Sequence, residues 1–299
     1  MIPTAATPAG NTRGSLLLIM ALALFTVEIT VIKLLSGDHA IAQLVLWRSA
    51  SQLLLMLPLM LRGRGHVFAT DRPWLHLARG GLSGAGMFTF YFAFSALPLA
   101  FATAISFTQP LFLVLLAVLM LGEKVTRRRL VATIVGFSGA ILVIRPGAVP
   151  LEPATLVAVL GAVVGALLLI VTKRLAQSDG TMTIMAWVSV TTSMLFLVPG
   201  AALWTAPRLE DAWLFALLSL GGPIGQFLLI NAFRMADASA LAPIDFTRLI
   251  LAGIAGYLVF REVPDPWTLV GSAVIAGSTI LASRPEPLLC PPPRRVSRR

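Results

Sequence analysis

The chain has 299 residues, of which 57% are hydrophobic and only 12% charged, with a formal net charge of +10. Together with a mean hydropathy of +0.88, this excludes a soluble globular domain and a disordered chain, and leaves a polytopic α-helical membrane protein. The single cysteine, Cys290, excludes an internal disulfide and a cysteine-rich metal site.

Apolar stretches long enough to cross a hydrocarbon core of ~30 Å recur from end to end. In chain order they are Gly14–Leu35, Ile41–Leu61, Trp74–Ala96, Ala100–Leu121, Leu130–Ile144, Pro153–Thr172, Thr181–Leu203, Trp213–Met235, Ala238–Phe260 and Trp267–Ala282. The first follows Arg13 but outruns a signal peptide and carries Glu28, so it reads as a retained helix. Trp74, Trp204, Trp213 and Trp267 stand at span ends, as an interfacial belt requires. Gly80-x-x-x-Gly84 and Gly161-x-x-x-Gly165 offer small faces for helix packing.

The second half repeats the first. Ala93–Pro146 aligns without gaps on Ala232–Pro285 at an offset of 139, with Phe107/Phe246, Thr108/Thr247, Glu123/Glu262 and Arg145/Arg284 among the identical pairs. Trp47 falls on Trp187 at an offset of 140, and Gly80-Gly81 on Gly221-Gly222 at 141. The expected organisation is a tail over 1–13, a five-helix unit over 14–146, a second over 153–284 and a basic tail over 285–299. Five spans per unit make the two copies enter the bilayer from opposite sides, the inverted repeat of secondary transporters.

Orientation follows from the basic residues. With the N-terminus inside, sixteen Lys and Arg residues fall in cytoplasmic segments and four (Lys33, Arg145, Arg208, Arg261) outside, so both termini are expected in the cytoplasm. The basic clusters, Arg127–Arg129 and the C-terminal arginines, thereby face anionic lipid and call for no nucleic-acid partner.

Ionisable groups inside the spans carry the functional reading. Glu28, Arg48, Arg79, Asp245 and Arg248 would each cost about 2.5–3.5 kcal/mol facing lipid near the bilayer centre, so most of them must face one another or a wet cavity. Asp245 and Arg248, three residues apart, share a helical face; Glu28 is placed to neutralise Arg48; Arg79 is close enough to the cytoplasmic end to snorkel. The surplus of guanidinium suits carboxylate or phosphate. Thr108, Gln109, Thr247, Gln226, Asn231, Tyr91, Trp47 and Trp187 lie at matching depth and complete the candidate cavity wall. Pro110, Pro243 and Pro223, the last within Gly221-Gly222-Pro223-Ile224-Gly225, mark expected helix breaks or gating points in both halves.

The run Phe94-Ser95-Ala96-Leu97-Pro98 through Phe107-Thr108-Gln109-Pro110, with Leu121-Gly122-Glu123 and Gly136-Phe137, resembles the first EamA domain of the drug/metabolite transporter superfamily. Pro243-Ile244-Asp245-Phe246-Thr247-Arg248 with Phe260-Arg261-Glu262 resembles the second. The resemblance implies a ten-helix inverted-repeat carrier around a central cavity, in a bacterial inner membrane, with no metal or organic cofactor. It proposes a cavity role for Thr108, Gln109, Asp245, Thr247 and Arg248. Similar carriers move riboflavin, S-adenosylmethionine and opine-type metallophores.

The function expected from sequence is alternating-access transport of a small organic metabolite, foremost export of an amino-acid-derived carboxylated compound. Asp245 or Glu28 is the expected carrier of a coupling proton. The alternatives are uptake of a vitamin- or nucleoside-like metabolite and, in another class, a non-transporting receptor or assembly subunit. No H-E-x-x-H, C-x-x-C or G-x-S-x-G motif supports an enzyme.

Overall fold

A computed structural model describes residues 8–62, 66–121, 127–145, 152–175, 178–235, 244 and 247–283. The helices are α1 (Pro8–Leu35), α2 (Ile41–Arg62), α3 (Pro73–Ala96), α4 (Leu99–Ser106), α5 (Gln109–Leu121), α6 (Arg127–Ile144), α7 (Pro153–Leu175), α8 (Thr181–Ala202), α9 (Ala212–Met235), α10 (Thr247–Phe260) and α11 (Pro266–Ser283). Segments within α1, α4–α5, α7 and α8, and one running from Leu209 into α9, are long and apolar enough to cross a membrane, with mean hydropathies of 1.6–2.8. Large apolar side chains left outside the bundle, such as Leu54, Leu119, Met194 and Val198, form the lipid-facing surface.

Helix boundaries follow local chemistry. Proline opens α3, α7 and α11, where its missing N–H costs nothing. At α11 the Asp265 carboxylate accepts from the Trp267 backbone N–H at 2.7 Å and from Thr268. Arg145 at the end of α6 reaches the same carboxylate at 2.9 Å. Burial would raise the Asp265 pKa, but these donors and the arginine outweigh it and hold the carboxyl below its ordinary value. α10 closes in a left-handed cap: Arg261 has φ 59° and its N–H bonds to the Tyr257 carbonyl, while the Glu262 N–H bonds back to the Gly256 carbonyl.

The fourth span is interrupted, as Pro110 requires. The helix stops at Ser106, turns through Phe107 and Thr108, and restarts at Gln109, with Pro110 in the first turn of α5. The expected break at Pro223 is corrected: α9 runs unbroken through it. The helix is packed closely there, Gly222 lying against Arg48 and Gly225 against the Phe25 ring. The other proline singled out, Pro243, lies outside the described residues.

The principal pairings join α1 to α9, α3 to α7, α2 to α8 and α6 to α11. Exchanging each span for its repeat mate turns α1–α9 into α7–α3, and maps α2–α8 and α6–α11 onto themselves. A pseudo-two-fold relation between inverted halves demands that pattern. Small residues set the closest approaches. A β-carbon on Gly139 would sit 2.9 Å from the Gly271 carbonyl oxygen, and one on Gly271 2.7 Å from that of Gly139. Gly80 and Gly84 receive Thr191 and Phe196 of α8.

Candidate binding cavity

Between the halves lies a cavity of about 320 Å³, with walls from α1, α2, α3, α5, α7, α8, α9 and α10. Toward the face where α3 starts it is bounded by Arg79, Leu168 and Met185; deeper in it meets Ile29, Phe90, Phe94, Gln109 and Arg248. Beyond Phe90 and Phe94 the opposite face is filled by the main apolar core, including Leu97, Leu99, Ile105 and Phe107. A side pocket of about 50 Å³ continues behind Phe94 toward Ser106 and Arg248.

Glu28 and Arg48 meet as their charges required. Arg48 Nε donates to Glu28 Oε1 at 3.2 Å, Tyr91 donates to the same oxygen at 2.6 Å, and Arg48 Nη1 donates to Gln52. All four residues are buried. Removing one member of such a pair leaves an uncompensated charge, at a cost of about 3–5 kcal/mol. Gly222 makes room for the guanidinium: a β-carbon there would lie 2.5 Å from Arg48 Nε.

Arg248 and Arg79 are only partly satisfied. Arg248 Nη2 donates to Ser106 Oγ at 3.0 Å, and its guanidinium lies 4.9 Å from the Phe107 ring, both at the α4–α5 break. Its buried Nε has no hydrogen bond among the described residues. Arg79 Nε donates to Thr172 at 2.9 Å, while its Nη1 is buried without a partner among them. Buried N–H groups left so cost about 1–3 kcal/mol each, more when charged, which an arriving anion recovers. Gly165 leaves room for the Gln109 amide, which a β-carbon would approach to 2.9 Å.

Repeat mates line this cavity in pairs: Phe25/Gly165, Glu28/Leu168 and Arg48/Val188 at an offset of 140, and Gln109/Arg248 at 139. The wall is thus symmetric in position and asymmetric in charge, since in three of the four pairs one mate alone is ionised.

Of the residues expected here, Glu28, Arg48, Tyr91, Gln109, Gln226 and Arg248 line the cavity. Trp47 and Trp187 face elsewhere. Trp47 donates to Ser219 and stacks on Trp204, and Trp187 donates to the Phe68 carbonyl and stacks on His76. Thr108 and Thr247 donate to carbonyls three residues back, and Asn231 to Phe227 one turn away. Gly221 and Gly225 serve the α9–α1 contact, and Asp245 lies outside the described residues. Arg79, Gln52, Ser83, Phe25, Phe90 and Phe94 were not singled out as wall residues.

Residues 12–145 and 153–284 each match the EamA-like transporter family. The chain belongs to that family. It is 34% identical over 227 residues to an S-adenosylmethionine uptake transporter of Rickettsia bellii, covering 76% of this chain and 78% of that one. A riboflavin transporter of Brucella anthropi is 31% identical over 251 residues, covering 80% and 87%. A pseudopaline exporter of Pseudomonas aeruginosa is 25% identical over 273 residues, covering 91% and 96%. A protein crystal structure shares the fold at a TM-score of 0.61 with 17% identity, covering 93% of this chain and 97% of that one. Family and relatives are transporters of small molecules, and the chain is a multi-span helical membrane protein of that kind.

Proposed function

We propose that this EamA carrier moves an amino-acid-derived metabolite bearing carboxylate groups, by alternating access through the central cavity. The reading is carried by one observation: two guanidinium groups, Arg79 and Arg248, border one cavity with buried N–H groups unfilled among the described residues, beside a Glu28–Arg48 pair already satisfied. Among the described wall residues three are cations and one is an anion, so an anionic or amphoteric substrate is favoured over a net cation. The aromatic wall of Phe25, Phe90 and Phe94 suits an apolar portion. With both termini cytoplasmic, by the distribution of basic residues, the Arg79 end of the cavity faces the cytoplasm.

Export is supported by the pseudopaline exporter relative; uptake by the S-adenosylmethionine uptake transporters, 30–34% identical. An S-adenosylmethionine-like substrate is the second reading, favoured by those relatives and by a carboxylate at Glu28 beside aromatic rings. Counterflow in proteoliposomes separates the two. An opine with free carboxylates should exchange, its monoamide should lose about tenfold or more for each charge-assisted bond removed, and Arg248→Gln should erase that difference. Equal exchange of opine and amide, with faster exchange of S-adenosylmethionine, sinks the carboxylate reading. A coupling proton is assigned to Glu28 or Asp245; transport in Glu28→Gln and Asp245→Asn that still follows an imposed pH gradient in both removes it.

A further inference from the structure

At the face opposite Arg79 the bundle is held by a compact polar knot. Lys33 of α1 pairs with the Glu262 carboxylate, and its ammonium also donates to the Leu97 carbonyl at 2.6 Å. The second Glu262 oxygen accepts from the Leu99 backbone N–H at 2.9 Å, at the first residue of α4. Lys33 lies 5.1 Å from the Phe260 ring, and the Lys33 and Glu262 side chains are 14% and 20% exposed, shielded enough to count for more than a surface pair. The left-handed cap of α10 turns Glu262 back toward Leu99, and Gly256 leaves the carboxylate its space: a β-carbon there would lie 3.0 Å from Oε2. A pocket of about 110 Å³ lies directly beneath, lined by Ala100, Phe101, Ala252 and Gly253.

We propose that Lys33 and Glu262 are the latch of this face, and that their ion pair must break for the cavity to open there. The knot joins α1 and the α3–α4 turn of the first half to the α10–α11 turn of the second, the groups that must part if the halves are to separate at this end. The repeat supplies the same chemistry twice. At the established offsets Lys33 falls on Lys173 and Glu262 on Glu123, so both residue types recur in the sequence of the other half. Glu123 lies outside the described residues. A lone lysine on the face otherwise poor in basic residues is thereby explained by gating rather than topology.

The inference rests on alternating access but not on the substrate, and its test needs none. In a Cys290→Ser background, Ala252→Cys provides a reporter that is fully buried in the latched state. Labelling by a membrane-impermeant maleimide, applied from the Lys33 side of oriented vesicles, is expected to rise about tenfold or more in Glu262→Gln and Lys33→Met. Lys33→Arg, which keeps the charge, is expected to stay protected. Parental labelling in both single variants overturns the proposal. So does equal labelling of Lys33→Arg and Lys33→Met, which reduces the knot to packing. If labelling changes as expected but no opine is exchanged, the latch stands and the substrate reading alone fails.

Discussion

Gly222 and Gly221 are neighbours on α9 with opposite demands on a methyl group. At Gly222 a β-carbon meets Arg48 Nε at 2.5 Å; at Gly221 the nearest atom, the Leu24 carbonyl oxygen, is 4.0 Å away. Gly222→Ala is therefore expected to displace the guanidinium from Glu28 and to cost about 3–5 kcal/mol, the loss typical of a broken buried pair. Gly221→Ala is expected to be neutral or to gain up to about 1 kcal/mol of helix propensity. Thermal unfolding in detergent separates them, and equal midpoints would contradict the packing. The Glu28–Arg48 pair was legible in the sequence because two opposite charges inside spans have few other places to go. The cavity role of Arg79 was not, since snorkelling and lining a cavity both satisfy a guanidinium near a span end. Trp47 and Trp187 were misplaced because depth in the membrane does not say which helix face an indole occupies.

Among the helices, the regions around Pro110 and Pro223 test what a local signal can decide. Pro110 breaks its span and places Ser106, Phe107 and Gln109 around Arg248. Pro110→Ala is expected to let α4 and α5 join, withdrawing Ser106 from Arg248 and raising the KM for a carboxylated substrate. An unchanged KM in counterflow would show that the break is incidental. Pro223 carries the same covalent signal yet interrupts nothing, because its outcome depends on α1 and α2 packed against it, which one segment of sequence cannot report. The α10 terminus offers a stabilising change. Arg261 occupies a left-handed position, where its repeat mate is Gly122, so Arg261→Gly is expected to relieve about 1 kcal/mol and raise the unfolding midpoint. A lowered midpoint would show that the arginine side chain contributes more than its backbone costs.

Across the whole molecule, His76 Nε2 lies 2.8 Å from Asp179 Oδ2, which also accepts from Thr70 at 3.0 Å, joining the start of α3 to the α7–α8 turn. Burial would raise the Asp179 pKa, but hydrogen bonds from His76 and Thr70, with the charges of His76 and Arg72, outweigh it and hold the carboxyl below its ordinary 3.8. A depressed carboxylate contributes stability above its unfolded pKa and loses it as pH falls through the folded one. The midpoint deficit of Asp179→Asn should accordingly persist at neutral pH and fade only below about pH 3.8. A deficit surviving to lower pH would assign it to lost packing. The inverted architecture was legible from the duplicated motifs, but how the halves interlock was not, because offsets carry no information on which spans touch. Each of the principal helix pairings, α1 with α9, α3 with α7, α2 with α8 and α6 with α11, crosses from one half to the other. Duplication has therefore not made two self-sufficient domains. During synthesis the leading five spans must wait in the bilayer, their glycine seams and arginines uncovered, until the trailing five emerge to clasp them. A fragment ending near residue 150 should fall to quality-control proteolysis when made by itself and survive when its complement is co-expressed.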